Sequence, residues 1–279
     1  VNASFEVVEN DNNTLLKGKI RTKGDRSIHH EIGHQSYRID LKKDNFFNGM
    51  EEFSVQRGIL RNYSWEPLFH RIASSENILT LKHGLLKLSI NGDSQGVYTF
   101  EEVPSKYTIE RTQRKNGPIF GLDENKKGSY PAVTYEVYDE KYWVENNIEI
   151  LEYVDNILLN TKLLSANLNF KESNTFLEQY YDLDKWAKFF ALSDLFQAYH
   201  GTVPKSVKLY YNPVTGKIEP LVYDAHIGAF HKGSFTTGTF SYNKSSDFSL
   251  IDFMLSDNPN CGFICSRDNW FKFFFNDKN

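Results

Sequence analysis

The run from Val207 to Phe230, VKLYYNPVTGKIEPLVYDAHIGAF, separates by residue type into two extended arms joined by a turn. Val207 to Tyr211 is β-branched and aromatic, Asn212-Pro213-Val214-Thr215-Gly216 carries turn residues, and Lys217 to Tyr223 is again extended. The arms therefore pair as a hairpin that delivers Asp224 to a strand end. Pro220 lacks the N–H that a central strand needs and predicts an edge or a bulge. Ala225, Gly228 and Ala229 leave room beside Asp224 for a ligand or another backbone. A carboxylate so placed suits a hard cation such as Mg²⁺, and it equally suits a cap on the following turn.

Upstream of the hairpin, Leu183, Trp186, Phe189, Phe190, Leu192, Leu195, Phe196 and Tyr199 recur at helical spacing, predicting one helix over Asn174 to His200. Asp194 interrupts its apolar face and needs a partner, either an ion pair or a site role. A second helical pattern runs from Tyr142 to Asn160. Residues 1 to about 105 are strand-rich, with one helix near 64 to 75 that Ser64 caps and whose first turn tolerates Pro67. Glu66 then lies at the start of that helix, where it complements the dipole or serves a site. Arg38, Asp40 and Lys42 alternate along a strand-like run and share one face, either a solvated surface or a cation poised for phosphate. Lys106 to Ser129 is polar and turn-rich and reads as a connection.

His30-Glu31-Ile32-Gly33-His34 satisfies the H-E-x-x-H pattern, in which two histidines on one helical face hold zinc and the glutamate acts as base. Strand-like sequence on both sides leaves room for about two helical turns, and Gly33 weakens even those. A loop with surface histidines is the competing reading, with a zinc peptidase through His30, Glu31 and His34 as the alternative.

The chain has 279 residues, of which 40% are hydrophobic and 15% aromatic, enough for a sizeable core. A formal net charge of -4 with dispersed Lys and Arg argues against a nucleic-acid partner, and no apolar run is long enough for a membrane span. Cys261 and Cys265, spaced CGFIC, meet neither C-x-x-C redox nor four-ligand zinc arithmetic; they read as core thiols, or as a demanding bridge outside the cytoplasm. Gly233 to Ser246 reads as a surface loop or a mobile cover. A start at Val1 and an end just past an aromatic Trp270 to Phe275 stretch suggest a fragment.

Four blocks in order give the chain a resemblance to the spore-coat CotH kinase-like family. They are Lys23-Gly24-Asp25 with Tyr37 to Lys42 and Asp44-Asn45; Phe53 to Gln56 with Arg61-Asn62; Asn91-Gly92 with Gly96-Val97-Tyr98-Thr99-Phe100-Glu101-Glu102; and the hairpin. The chain is especially similar to a bacterial branch with a His-Gly step, here His200-Gly201, followed by Tyr211-Asn212-Pro213-Val214-Thr215-Gly216-Lys217-Ile218-Glu219-Pro220 and Asp224-Ala225. The resemblance implies an α+β, bilobal atypical protein-kinase-like fold. Its sheet-rich N-terminal lobe would be residues 1–105, and its mainly helical C-terminal lobe, with the catalytic hairpin, residues 106–279.

It also implies ATP and Mg²⁺ as cofactors, with transfer of the γ-phosphoryl group to a hydroxyl of a protein substrate. Asp224 would hold the metal, helped by Ser206 where relatives carry Asn, and His200 or Asp194 would lie near the acceptor. Lys42, with Arg38, would grip phosphate, Glu66 would orient that cation, and Glu102 or Glu101 would reach a ribose hydroxyl. Ser206 and the acid at Asp40 depart from the family pattern and favour an alternative, an inactive kinase-like binding or structural module.

Overall fold

The computed structural model describes residues 1–9, 12–24, 29–30, 35–122, 135–167, 170–202, 206–226, 230–231, 234–235, 249, 251 and 273–275. They form a mixed α+β protein. An antiparallel six-stranded sheet takes up the first 102 residues: β1 (Asn2–Glu9), β2 (Asn12–Thr22), β3 (Tyr37–Leu41), β4 (Glu52–Arg57), β6 (His83–Ile90) and β7 (Asp93–Glu102), in the order β1-β2-β3-β4-β7-β6. Leu16, Ile39, Leu41, Met50, Phe53, Val55 and Tyr98 pack into its core. Between β4 and β6 lie α1 (Trp65–Ser75) and the short β5 (Leu79–Thr80).

A second sheet has the order β5-β11-β10-β8-β9, built from β8 (Ile119–Leu122), β9 (Tyr135–Val137), β10 (Lys208–Asn212) and β11 (Lys217–Val222). Helices α2 (Lys106–Arg111), α3 (Glu140–Asn146), α4 (Ile148–Asn167), α5 (Phe170–Tyr180) and α6 (Leu183–Phe196) accompany it. One face meets the large aromatic core of Phe69, Trp186, Phe189, Phe190 and Phe196 through Leu209, Tyr211, Ile218 and Val222. On the other face Leu79, Ile119, Tyr210 and Leu221 pack with Leu81 and Ile109. The switch of face at each successive residue is the period-2 alternation of a strand buried on both sides. Phe230–His231 and Ser234–Phe235 make a small separate ladder, β12 and β13.

The hairpin forms with its expected arms. Asn212 pairs with Lys217, Val214 N donates to Asn212 Oδ1 at 2.9 Å, and Gly216 closes the turn at φ 69°. Pro220 does not mark an edge strand, because β11 lies between β10 and β5. It is tolerated because β5 pairs only with Leu221 and Val222, so no ladder bond is required at position 220 on that side. Glu219 is fully buried and gathers Arg114 Nε at 3.0 Å, Lys185 Nζ at 3.0 Å and Asn212 Nδ2 at 2.7 Å. This ties the hairpin to α6, where Trp186 Nε1 also donates to Ile218 O at 3.0 Å.

Three other expectations need correction. The single helix over 174–200 is two helices, because Tyr181 bridges to Ile218 and Asp182 caps α6 through Lys185 N at 3.3 Å. Ser64 stands at the N-cap of α1 but its side chain makes no cap bond there. The stretch from Lys106 is more than a connection, since it contributes α2 and β8. Cys261, Cys265 and most of 233–246 lie outside the described residues. Among the described residues, no helix is long and apolar enough to cross a membrane.

Candidate active site

Asp224 follows β11 with φ 53°, a left-handed conformation that Asp adopts more readily than most residues. Three segments converge on its carboxylate. Ser206 Oγ, just before β10, donates to Oδ2 at 2.9 Å, and His200 Nδ1, in the 3₁₀ turn after α6, lies 3.4 Å from the same oxygen. Arg61 Nη1 donates to Oδ1, and His226 Nε2 lies 3.2 Å from it. The His200 and His226 rings stack with centroids 4.2 Å apart and 15° between planes.

Gly201 makes the His200 turn possible. A Cβ there would lie 3.2 Å from Tyr223 O and 3.3 Å from Ala225 Cα, the backbone on either side of Asp224. Gly201→Ala is therefore expected to cost about 1 kcal/mol of stability in a denaturation curve. By pushing His200 away from Asp224, it is also expected to lengthen the contact between His200 Nδ1 and Asp224 Oδ2.

Arg61 is the hub. It ends a 3₁₀ turn, Gly58–Arg61, whose exit through Asn62 and Tyr63 is left-handed at both residues, and it is 5% exposed. Besides Asp224 it meets Glu66 Oε1 at 3.4 Å and Glu101 Oε2 at 3.3 Å. Glu66 reaches it because α1 is anchored on the end of α6: Trp65 Nε1 donates to Phe196 O at 3.1 Å, and Phe69 meets the Phe196 ring edge-on. The same anchor places α1 next to the segment that leads to His200.

Burial alone would raise the Asp224 carboxyl, but the Arg61 guanidinium, His226 and His200 hold it well below the usual carboxylate range. Glu66 is likewise held low against its burial, by Arg61 and His83. Lys23 stands among the same charges. Burial pushes its ammonium down to about 8, against the pull of Glu101 and Asp224 and with the repulsion of Arg61 and Arg38.

Of the site residues expected from sequence, Asp224, His200, Ser206 and Glu66 come together. Lys42 does not. It lies exposed beyond the end of β3, its backbone N–H bonded to Lys17 O. Lys23 instead pairs its N–H with Ser36 at the opposite end of that strand, some six residues or about 20 Å away. Arg38 pairs with Glu52 at 3.4 Å rather than with Asp40. Asp194 accepts from Ser249 Oγ at 3.2 Å and Ile251 N at 3.2 Å, which supplies the partner its apolar helix demands.

Glu102 is buried and bonded to Thr108 Oγ1 at 2.9 Å and Arg111 Nη2 at 2.8 Å. It lines a cleft of about 440 Å³ with Val103, Ser105, Ile119 and Tyr138. Of the zinc-peptidase set, His30 is exposed and within 2.6 Å of Gly24 O through its ring, while Glu31 and His34 lie outside the described residues. Sequence reading gave no site role to Arg61, Lys23 or His226, although Arg61 and Lys23 stand inside the blocks that carry the family resemblance.

The chain matches the family described as CotH kinase protein over residues 20–257, well over half its length and across every element just described around Asp224. It belongs to the CotH kinase family. No curated protein matches the chain. In this CotH chain the oxygens of Asp224 and Ser206 fit a hard cation, which takes one or two carboxylates and fills its shell with phosphate and water oxygens. The ligand atoms of His200, Asp224 and His226 lie within 4.8 Å of one another.

Proposed function

We propose that the protein is a phosphotransferase of kinase type, with its cleft between the six-stranded sheet and the helix-backed sheet, that passes the γ-phosphoryl group of ATP to a protein hydroxyl. The observation carrying this reading is that Asp224, Ser206, His200 and Arg61, far apart in sequence, meet at one partly exposed carboxylate. Bound ATP with Mg²⁺ supplies the phosphoryl group and shields its charge. The protein's share is positioning and electrostatics.

Asp224 and Ser206 offer the oxygens for the cation. Arg61, saturated by three carboxylates, fixes Asp224 rather than gripping phosphate. Lys23 is the cation left to face phosphate, in the place Lys42 was expected to fill. The His200 ring, with Nδ1 3.4 Å from Asp224 Oδ2, is the base that takes the proton of the acceptor hydroxyl. The cleft beside Glu102 and Tyr138 offers a cavity for the nucleoside.

A second reading, a nucleotide-binding module without transfer, is favoured by one observation: Arg61, Ser206, His200 and His226 already engage both oxygens of Asp224. Two measurements separate the readings. Mg²⁺-dependent thermal stabilisation by ATP supports both, and its absence overturns both. Label passing from γ-labelled ATP to protein supports transfer, and stabilisation without label supports the module.

Lys23 adds a pH signature. Its charge is lost above pH 8, so kcat/KM for ATP should fall on a basic limb near pH 8, and Lys23→Arg should move that limb upward. For stability the sign is opposite. A lysine whose folded pKa lies below its unfolded value costs stability below pH 8, and that cost is relieved as pH rises from 8 toward 10.5.

A further inference from the structure

Next to Arg61 lies a second group of donors that the phosphoryl-transfer reading does not use. Glu66 and His70 stand four apart on one face of α1, and His83 and Glu101 are direct cross-strand partners on β6 and β7. One ligand atom from each of the four lies within 4.8 Å of the others. The set is buried: Glu66 is 0%, His70 3% and Glu101 3% exposed, and the His83 side chain 0%.

Neither ring nitrogen of His70 or His83, nor Glu66 Oε2, meets a partner in hydrogen-bond geometry. The Leu81 backbone near His70, and Glu66 Oε2 at 3.3 Å from His83 Nε2, fall short of it. The two rings lie 5.0 Å apart and 32° from parallel, so they do not bond each other. Buried imidazoles with both nitrogens unsatisfied are costly, and native proteins rarely keep them without a reason. Charge points the same way: Glu66, Glu101 and Asp224 outnumber the Arg61 guanidinium and the Lys23 ammonium.

We infer that Glu66, His70, His83 and Glu101 form a binding site for a divalent transition metal of the Zn²⁺ class. Two imidazoles and two carboxylates make a four-coordinate N/O set, and nitrogen donors disfavour Mg²⁺ and Ca²⁺. Tetrahedral bonds of about 2.0–2.2 Å put ligand atoms roughly 3.3–3.6 Å apart, so the four must draw in by an ångström or so. Glu66 Oε2 faces the ion while Oε1 stays on Arg61, and Glu101 likewise keeps Oε2 on Arg61. The ion thus clamps α1 to the β6–β7 hairpin and holds the two carboxylates that aim Arg61 at Asp224. The site is independent of nucleotide chemistry, so an inactive protein would still show it.

The test uses the full chain, stripped with chelator, dialysed against Zn²⁺ or Co²⁺ and assayed for bound metal without ATP. The expected result is about one tightly held equivalent. X-ray absorption should show two imidazoles and two oxygens around zinc, and Co²⁺ should give the visible absorption of a four-coordinate N/O site. Binding should persist in His226→Asn, whereas His70→Gln or His83→Gln should weaken it more than the roughly 10–100-fold typical of losing an outer partner. No retained metal, a zinc shell without imidazole, or metal lost in His226→Asn and kept in His83→Gln would each overturn the assignment. Should the His70 and His83 variants not melt cooperatively, the absorption spectrum of the unaltered protein decides alone.

Discussion

Asp224→Asn should abolish phosphate transfer while leaving a folded protein. Asparagine is the informative substitution because residue 224 has φ 53°, where Asn is comfortable and Ala is strained by about 1 kcal/mol. The amide can still accept from Ser206, but it gives up the charge that a divalent cation and Arg61 both answer. Losing one preorganised electrostatic partner typically lowers kcat on the order of 10²–10³-fold, and a carboxylate that holds the metal belongs at the upper end. Stabilisation by ATP with Mg²⁺ should vanish together with labelled-phosphate incorporation. Incorporation at an unchanged rate in Asp224→Asn would move the chemistry elsewhere. The converse change, Ser206→Asn, restores the amide expected from the family pattern and offers a metal-facing carbonyl, so it should leave ATP binding intact and raise activity if anything.

The hairpin was legible because its information is local: β-branched arms, an Asn-Pro start and a Gly that tolerates φ 69° all lie in the unbroken run from Lys208 to Val222. Asp224 followed from it, and His200 and Ser206 through the resemblance. The separation of Lys42 from Asp224, and the place of Lys23 among the charges around Asp224, did not follow. Along one strand Arg38 and Lys42 look equivalent to any other basic pair, and only the position of β2 beside β3 shows that Lys23 and Lys42 lie at opposite ends. The break in the α5–α6 run was missed for a similar reason, since Tyr181 has a helical pattern but a bridge to Ile218 captures it. Glu66 was recognised and its partner misassigned, because a glutamate at a helix start carries no mark of which cation it will meet. The Glu66–His70 spacing was visible in the sequence. Its meaning appeared only when β6 and β7 set His83 and Glu101 against it.

Arg61→Ala should produce the largest loss of stability of any single change at the site. Arg61 is 5% exposed and contacts Glu66, Glu101 and Asp224, so its removal leaves three carboxylates without their guanidinium. Breaking one buried pair costs about 3–5 kcal/mol, a large part of the roughly 5–15 kcal/mol that holds a typical domain. The pH dependence should also reverse. In the unaltered protein Glu66 and Asp224 titrate below their unfolded values, so their stabilising contribution is present above about pH 4 and lost as the pH falls through their folded values. Without Arg61 burial dominates, the carboxyls titrate above their unfolded values, and stability should rise on acidification from pH 7 to pH 5 as they take up protons. Arg61→Lys keeps one charge but not the planar fork that reaches three acids, so it should fall between, with the acid dependence weakened rather than reversed. Urea midpoints of the three proteins, each stripped of metal with chelator, at pH 5 and pH 7 give the comparison. Parallel behaviour in all three would mean that the acids are held by something other than Arg61, and that the route from Glu66 and Glu101 to Asp224 does not run through it.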